Sequence, residues 1–484
     1  MRSSRCFCIA CAIAAGALAL LAMLSAPSAA HAQNKPASFI NDVAPILKEN
    51  CYACHDAKKR SGKLDMTSFE KFMAGGNSDS PVSAGKPDDS YILELVKAKG
   101  KKRMPPEGKG KQLSKEQVAV IENWIAQGAK LDAGVDPKAD LIRELRLRWR
   151  PPVAPAAYKF ATIINAIVFT PDGKHLVTGG HHELLVWSLD GKLEKRIWTR
   201  AERAYGMAFT PDGKLVVAGA RPGQEGDVRV YDINGPGQTS QGVSMLNGVD
   251  DPKVMLKQLL DSDDSVLALA ISPDGKRLAA GGCDRVVRVW DISAGVLKAK
   301  LEQSIENHAD WVLGVTFAPD GKHLLTASRD KTAKVWDLST KESVMTFPDH
   351  QNPVYAVAVK ANSKVGYSVG EDKQLRIWNA VAEGKQVKAI GGHQGAVLRL
   401  LADPKQPLLI TASADKTVRV WNADSGAAVK TLSGLNDEVF ALALSPDGKM
   451  VAAGSYLGEI AIWKIPEGTV VKTFNASPGY VLKK

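Results

Sequence analysis

A chain of 484 residues, 45% hydrophobic and 24% charged with a formal net charge of +11, is too long for one ordinary domain. Of its six cysteines, Cys6, Cys8 and Cys11 stand in the N-terminal segment, so the body of the chain keeps only Cys51, Cys54 and Cys283. That number and placement exclude a disulfide framework.

Residues 1–32 have the form of an export signal. Arg2 and Arg5 precede an apolar run from Cys6 to Leu24, and Ala30-His31-Ala32 offers a small-x-small cleavage site. The expectation is Sec-type export to the periplasm, or another extracytoplasmic compartment, of a bacterium. The run is also long enough for an uncleaved anchor, the one way in which a membrane would be a partner. Cleavage would lower the charge to about +9, since only Arg2 and Arg5 leave. No later stretch is apolar enough to cross a bilayer.

Beyond the signal, residues 35–133 read as helices and loops, 134–158 as a linker, and 159–484 as short strands built on a repeat. Ala37 to Asn50 carries Phe39, Ile40, Val43, Ile46 and Leu47 on a helical stripe that runs into Cys51-Tyr52-Ala53-Cys54-His55. Two thiols three apart, with a histidine directly after, form the attachment signature of a c-type haem. A helical turn sets the sulfurs for thioether bonds to the two vinyl groups. The next residue then falls beneath the ring, where its imidazole can bind iron. Rival readings fit less well: a CxxC redox pair wants a βαβ setting, a zinc site wants a second close-set ligand pair, and a disulfide leaves His55 without a role. One covalent haem c on Cys51 and Cys54, with His55 as axial ligand, is the expectation.

Leu64 to Gly76 and Pro87 to Ala98 give weaker helical patterns. A firmer helix follows Ser114 as N-cap with Gln117 three residues on; it bears Val118, Ile121, Trp124 and Ile125 and ends near Gly128. Between them lies Arg103-Met104-Pro105-Pro106. Iron held by His55 wants a sixth ligand on the opposite face, and methionine is the usual companion of histidine there. The prolines stiffen the loop, which makes Met104 the best candidate. Met66 and Met73 suit core filling better, and an open sixth position is the remaining alternative. Lys97, Lys99, Lys101, Lys102 and Arg103 crowd the approach to Met104. They form either a solvated loop or a positive rim that steers an acidic redox partner. Nucleic acid fits poorly, because export is expected and aromatic residues do not interleave with the lysines.

Val43-Ala44-Pro45-Ile46-Leu47, Cys51 to His55, Met104-Pro105-Pro106 and Trp124-Ile125-Ala126-Gln127-Gly128-Ala129 together resemble the planctomycete-type cytochrome c domain of bacterial exported proteins, a small all-α, class I-like fold. The resemblance covers about 95 residues. It implies haem on Cys51 and Cys54 and iron ligation by His55 and Met104. In the linker, Asp136 to Trp149 reads as a charged helix and Pro151-Pro152-Val153-Ala154-Pro155 as a stiff spacer.

A repeat fills the rest: an apolar strand, a Pro-Asp-Gly-Lys turn, a strand ending in small residues, and a strand ending in an aromatic. Trp187, Tyr231, Trp290, Trp336, Trp378, Trp421 and Trp463 are 44, 59, 46, 42, 43 and 42 residues apart. The period and the Trp-Asp-like dipeptides resemble WD40 repeats, which implies an all-β propeller of seven blades. His308, Ser328, Asp330 and Trp336 recur as His393, Ser413, Asp415 and Trp421, at offsets of 20, 22 and 28 from the histidine. A buried polar chain from loop histidine to strand tryptophan would lock each such blade. His350, Asp372 and Trp378 follow with Gly370 at the serine position, and the first and last blades, with His181 and Leu457 at the aspartate position, should be looser. An insertion from Gly235 to Ser262 carries a short helical pattern, Pro252 to Leu260. The last blade takes its outer strand from Lys472-Thr473-Phe474 or from Tyr158 to Ile163. Trp311 is a candidate partner-binding anchor, or else packs on the next blade. The pair His181-His182 and the lone Cys283 have no assigned role.

The reading is therefore a multidomain chain: an exported monohaem cytochrome that moves single electrons, with a propeller as protein-docking platform. Whether it also catalyses a reaction is left open, with electron transfer the expectation ahead of catalysis. The rivals are a catalytic propeller fed with electrons by the haem domain and a haem-bearing scaffold or gas sensor. The platform role is fold-level analogy.

Overall fold

The helical stripe at the start of the first region meets Pro45, which has no N–H to give and whose ring crowds the carbonyl four residues back. In the computed structural model the stripe accordingly begins as a π-turn, Phe39–Val43, capped by Ser38, and becomes α-helical only over α1, Ala44–Asn50. The structure describes residues 36–78, 80–360, 364–380 and 384–480; the export signal read from residues 1–32 lies outside them. The chain divides into two units, one ending at Trp149 and the other beginning at Arg150.

In the first unit, α2 (Phe69–Ala74), α3 (Tyr91–Lys97), α4 (Lys115–Ala126) and α5 (Leu141–Arg148) follow α1. Helix α4 starts on a full capping box, in which Ser114 and Gln117 satisfy each other's backbone N–H. Its Trp124 stacks among Phe39, Phe69 and Phe72, with ring centroids 5.2 to 6.5 Å away. Met66 is buried in this core and Met73 packs on its edge. Leu141 of α5 is fully buried in the same core, so the helix inside the expected linker belongs to this unit.

Among the described residues the second unit is a ring of seven sheets, six of them with four antiparallel strands; the first carries two further strands, contributed by the insertion in blade 2. Blade 1 holds Ile167–Phe169, His175–Gly179, Glu183–Ser188 and Leu193–Trp198. The outer strand of blade 7 is Thr469–Asn475, which pairs with Glu459–Lys464. The segment from Tyr158 instead runs along the seam between blades 7 and 1: Tyr158 N–H donates to Pro478 O at 2.7 Å and Ile164 N–H to Ser455 O at 3.2 Å. Among the described residues no strand crosses that seam. Ile164, Ile167 and Phe169 close it by packing with Ala441, Ala443 and Ile460.

Blade 2 departs from the expected helix between Pro252 and Leu260. That stretch forms the strand Met255–Ser262, the outer strand of blade 2, paired with Glu225–Tyr231. Two bulges, at Met255/Lys257 and Gln258/Leu260, shift its faces, so Leu256, Leu259 and Leu260 lose strict alternation and mimic a helical stripe. The rest of the insertion is a hairpin, Gln238–Ser240 and Val243–Asn247, whose second strand lies parallel on the outer strand of blade 1. A cavity of about 500 Å³ lies under it, lined by Val153, Trp198, Met245 and Leu246 among others.

Candidate functional site

Helix α1 ends at Cys51, whose N–H still bonds Leu47 O at 2.8 Å; Cys54 N–H and His55 N–H then both return to Cys51 O at 3.1 Å. The five residues of the motif thus form one tight turn continuing the helix. Lys59 Nζ holds Ala53 O at 2.7 Å, and Met66 N–H donates to His55 O at 2.8 Å, which fixes the middle and the far end of the turn. Cys51 and Cys54 are free thiols, half-buried. Burial, and then the neighbouring Cys54, pushes the Cys51 thiol up to about 12, opposite to the lowered value of a redox dithiol. His55 Nδ1 is buried and has no hydrogen-bond partner. Among the described residues no three His, Cys, Asp or Glu side chains converge into a group that could hold a bare metal ion.

Met104 lies half-buried and, unlike Met66 and Met73, outside the apolar core. Its N–H donates to Leu95 O at 2.9 Å, which docks the loop on α3, and its bond to Pro105 is cis. The cationic cluster is less uniform than its sequence. Lys97 pairs with Glu122 of α4, and Arg103 donates to the carbonyls of Pro105 and Gly110. Lys99, Lys101 and Lys102 are exposed, and so are Lys109 and Lys111 beyond the prolines, which extend the cluster on the far side of Met104. Two thiols, an imidazole with an orphaned buried nitrogen and a thioether outside the core form a donor set that suits haem c.

In the propeller, the polar chains run through a different hydroxyl from the one expected. His308 Nδ1 meets Asp330 at 2.7 Å, and its Nε2 meets Thr326 Oγ1 at 2.7 Å, to which Trp336 Nε1 donates at 2.9 Å. His393, Asp415, Thr411 and Trp421 repeat this. Ser328 and Ser413 are not the relay; each accepts from the aspartate N–H and donates to a loop carbonyl. The chain of His350, Asp372 and Trp378 is complete despite Gly370, because Ser368 takes the threonine's place. Blades 1 and 7 hold other locks. Glu183, buried in blade 1, takes two hydrogen bonds at 2.8 Å from Arg196 and one from Tyr158. Arg196 also donates to Pro155 O and Ala156 O, pinning the end of the proline spacer to this blade. In blade 7, Glu459 accepts from the backbone and side chain of Asn436.

Trp311 is 38% exposed at the start of an inner strand, with the Arg329 guanidinium 4.6 Å over its ring. His181 is exposed and His182 buried, with Nδ1 at 3.2 Å from Arg200 O. Burial, with Asp264 alongside, pushes the Cys283 thiol up to about 12, which disfavours the thiolate.

Fold and site thus define a two-part protein, a small helical cytochrome-like unit followed by a seven-bladed propeller. The family model described as "Planctomycete cytochrome C" matches residues 51–108, and that of the "WD domain, G-beta repeat" matches 158–188, 254–291, 299–337, 341–379, 384–422 and 426–464. Between the first two matched repeats, residues 189–253 are left out; they hold the outer strand of blade 1, the first three strands of blade 2 and the hairpin of the insertion. The chain joins a planctomycete-type cytochrome c domain to a WD40-repeat β-propeller. Among curated proteins it is similar to Protein HIR1 of Kluyveromyces lactis, 28% identical over 47% of this chain and 23% of that one. It is also similar to Protein groucho of Drosophila melanogaster (26%, over 27% and 16%) and to the U3 small nucleolar RNA-associated protein 15 homolog of Gallus gallus (26%, over 58% and 49%). The chain therefore spans less than a quarter of the first two and about half of the third.

Proposed function

We propose that the chain is an exported monohaem c-type cytochrome that passes single electrons, its propeller serving as a platform for protein partners. One observation carries the reading: His55 ends the helical turn of two free thiols with its Nδ1 buried and unpartnered. Haem c, when bound, supplies one-electron redox chemistry. Cys51 and Cys54 would anchor it through thioether bonds, and His55 and Met104 would hold its iron. Pro105 and Pro106 limit the backbone around Met104, and the contact with Leu95 O holds it against α3. Lys99, Lys101 and Lys102, with Lys109 and Lys111, place positive charge around that loop and draw in an acidic partner. Export rests on the segment before Gln33, and docking on the propeller rests on the WD40 fold and the exposed Trp311.

The test is covalent attachment. A denaturing gel should keep a haem-stained band, acid–acetone should leave the pigment on the protein, and Cys51→Ala with Cys54→Ala should release it. Extraction of all pigment from the wild type would end the reading.

A further inference from the structure

Within the positive cluster, Arg103 behaves unlike its neighbours. Its guanidinium turns over the loop: Nε donates to Pro105 O at 3.0 Å and Nη2 to Gly110 O at 2.7 Å. The residues on either side of Met104 are thereby joined through a side chain, so Met104 sits inside a closed ring of covalent bonds and one hydrogen bond. The second bond carries that ring to the far end of the loop. There Gly110 approaches so closely that a Cβ would stand 2.8 Å from Pro105 Cβ. Behind the loop, Met104 N–H is held by Leu95 O, and Gln112 Nε2 reaches Ala98 O at 3.1 Å.

We propose that Arg103 is a positioning residue for Met104: its fork clamps the backbone before and after the methionine and sets where the thioether can reach. It is not a docking charge. The inference rests on the reading of His55 and Met104 as axial ligands. A thioether is a neutral ligand that competes with added bases, so the rigidity of its loop decides how readily it is displaced. Groups that orient a ligand in this way commonly change its affinity tenfold or more. Only the planar fork of arginine can serve two carbonyls at once in this geometry; a lysine offers the charge without the fork.

The experiment uses the full-length, haem-loaded protein and imidazole as competitor, followed by loss of the methionine-to-iron band of the oxidised form. Arg103→Ala should lower the imidazole midpoint about tenfold. Arg103→Lys should lower it nearly as far, and Lys101→Gln should stay close to wild type, because an exposed charge is screened at about 0.1 M salt. Gly110→Ala, which forces Pro105 and Gly110 apart with every charge in place, should reproduce the loss. If Arg103→Ala fails to load haem, Arg103→Lys and Gly110→Ala carry the comparison. Full rescue by lysine, or an equal shift in Lys101→Gln, would overturn the clamp in favour of plain charge. A Met104→Ala protein with wild-type spectrum and titration would instead remove Met104 as ligand, and the clamp with it.

Discussion

At the residue scale, each relayed blade turns on one hydroxyl. Thr326→Val would strand His308 Nε2 and Trp336 Nε1 in the interior, at an expected cost of ~2–4 kcal/mol. Ser328→Ala removes a hydroxyl between a loop carbonyl and a backbone N–H and should cost ~1 kcal/mol. Urea unfolding of the two variants checks the order, and a serine variant as costly as the threonine one would return the relay to Ser328. Histidine, aspartate and tryptophan are legible in the sequence because their offsets repeat. The hydroxyl is not, since Thr326 and Ser328 lie two apart on one strand and share a face. The same network sets a pH response. Burial alone would raise the Asp415 carboxyl, but hydrogen bonds from Thr417, Gln394 N–H and His393 together hold it down at about 2, from an ordinary 3.8. The unfolded chain binds this proton first on acidification. The stabilisation is therefore full above about pH 5 and lost as pH falls towards 2. Asp415→Asn should flatten that limb of a stability–pH profile; an unchanged slope would assign the limb to other carboxylates.

At the element scale, blade 1 exchanges the relay for a buried ion pair, and the two should fail differently. Arg196→Met leaves Glu183 buried with only Tyr158 to satisfy it, for an expected loss of ~3–5 kcal/mol, whereas Arg196→Met with Glu183→Leu should recover much of that. Thermal melts of single and double variants decide the matter, and a single variant within about 0.5 kcal/mol of wild type would show that the pair holds nothing. The expectation that this blade is loose came from a missing aspartate, and no repeat spacing announces a glutamate with a partner on the next strand. Bulges hid the strand Met255–Ser262 in the same manner, because the period that identifies a strand is the very thing a bulge interrupts. Helix α4 is legible because its cap and its apolar face say the same thing.

At the scale of the whole molecule, seven aromatics at a near-constant spacing make the blade count legible, while ring closure is not written in any period. Tyr158 belongs both to the seam and to the lock of blade 1. A chain starting at Arg150 should melt cooperatively, and one starting at Thr162 should melt lower and aggregate; equal melting by calorimetry would leave closure to apolar packing alone. Charge acts at this scale too. The Debye length shrinks from about 30 Å at 0.01 M salt to about 10 Å at 0.1 M, so reduction by an acidic protein should slow across that range. Replacing Lys99, Lys101 and Lys102 with Gln should flatten the dependence and leave reduction by a small neutral reagent unchanged. Equal slopes would make these lysines a solvated loop.

The unshared seam also bears on the order in which the ring comes into being. Because the four core strands of each blade come before those of the next blade in the chain, a growing polypeptide can complete the core of one blade before the next has been synthesised. Blade 1 gains its extra hairpin only while blade 2 is being finished, which couples the first two steps of that sequence. The bond from Thr162 N–H to Ser477 Oγ spans 315 residues and is among the last to become available. Loop-closure entropy for so distant a contact rises only with the logarithm of its length, and by then every intervening blade has already shortened the path.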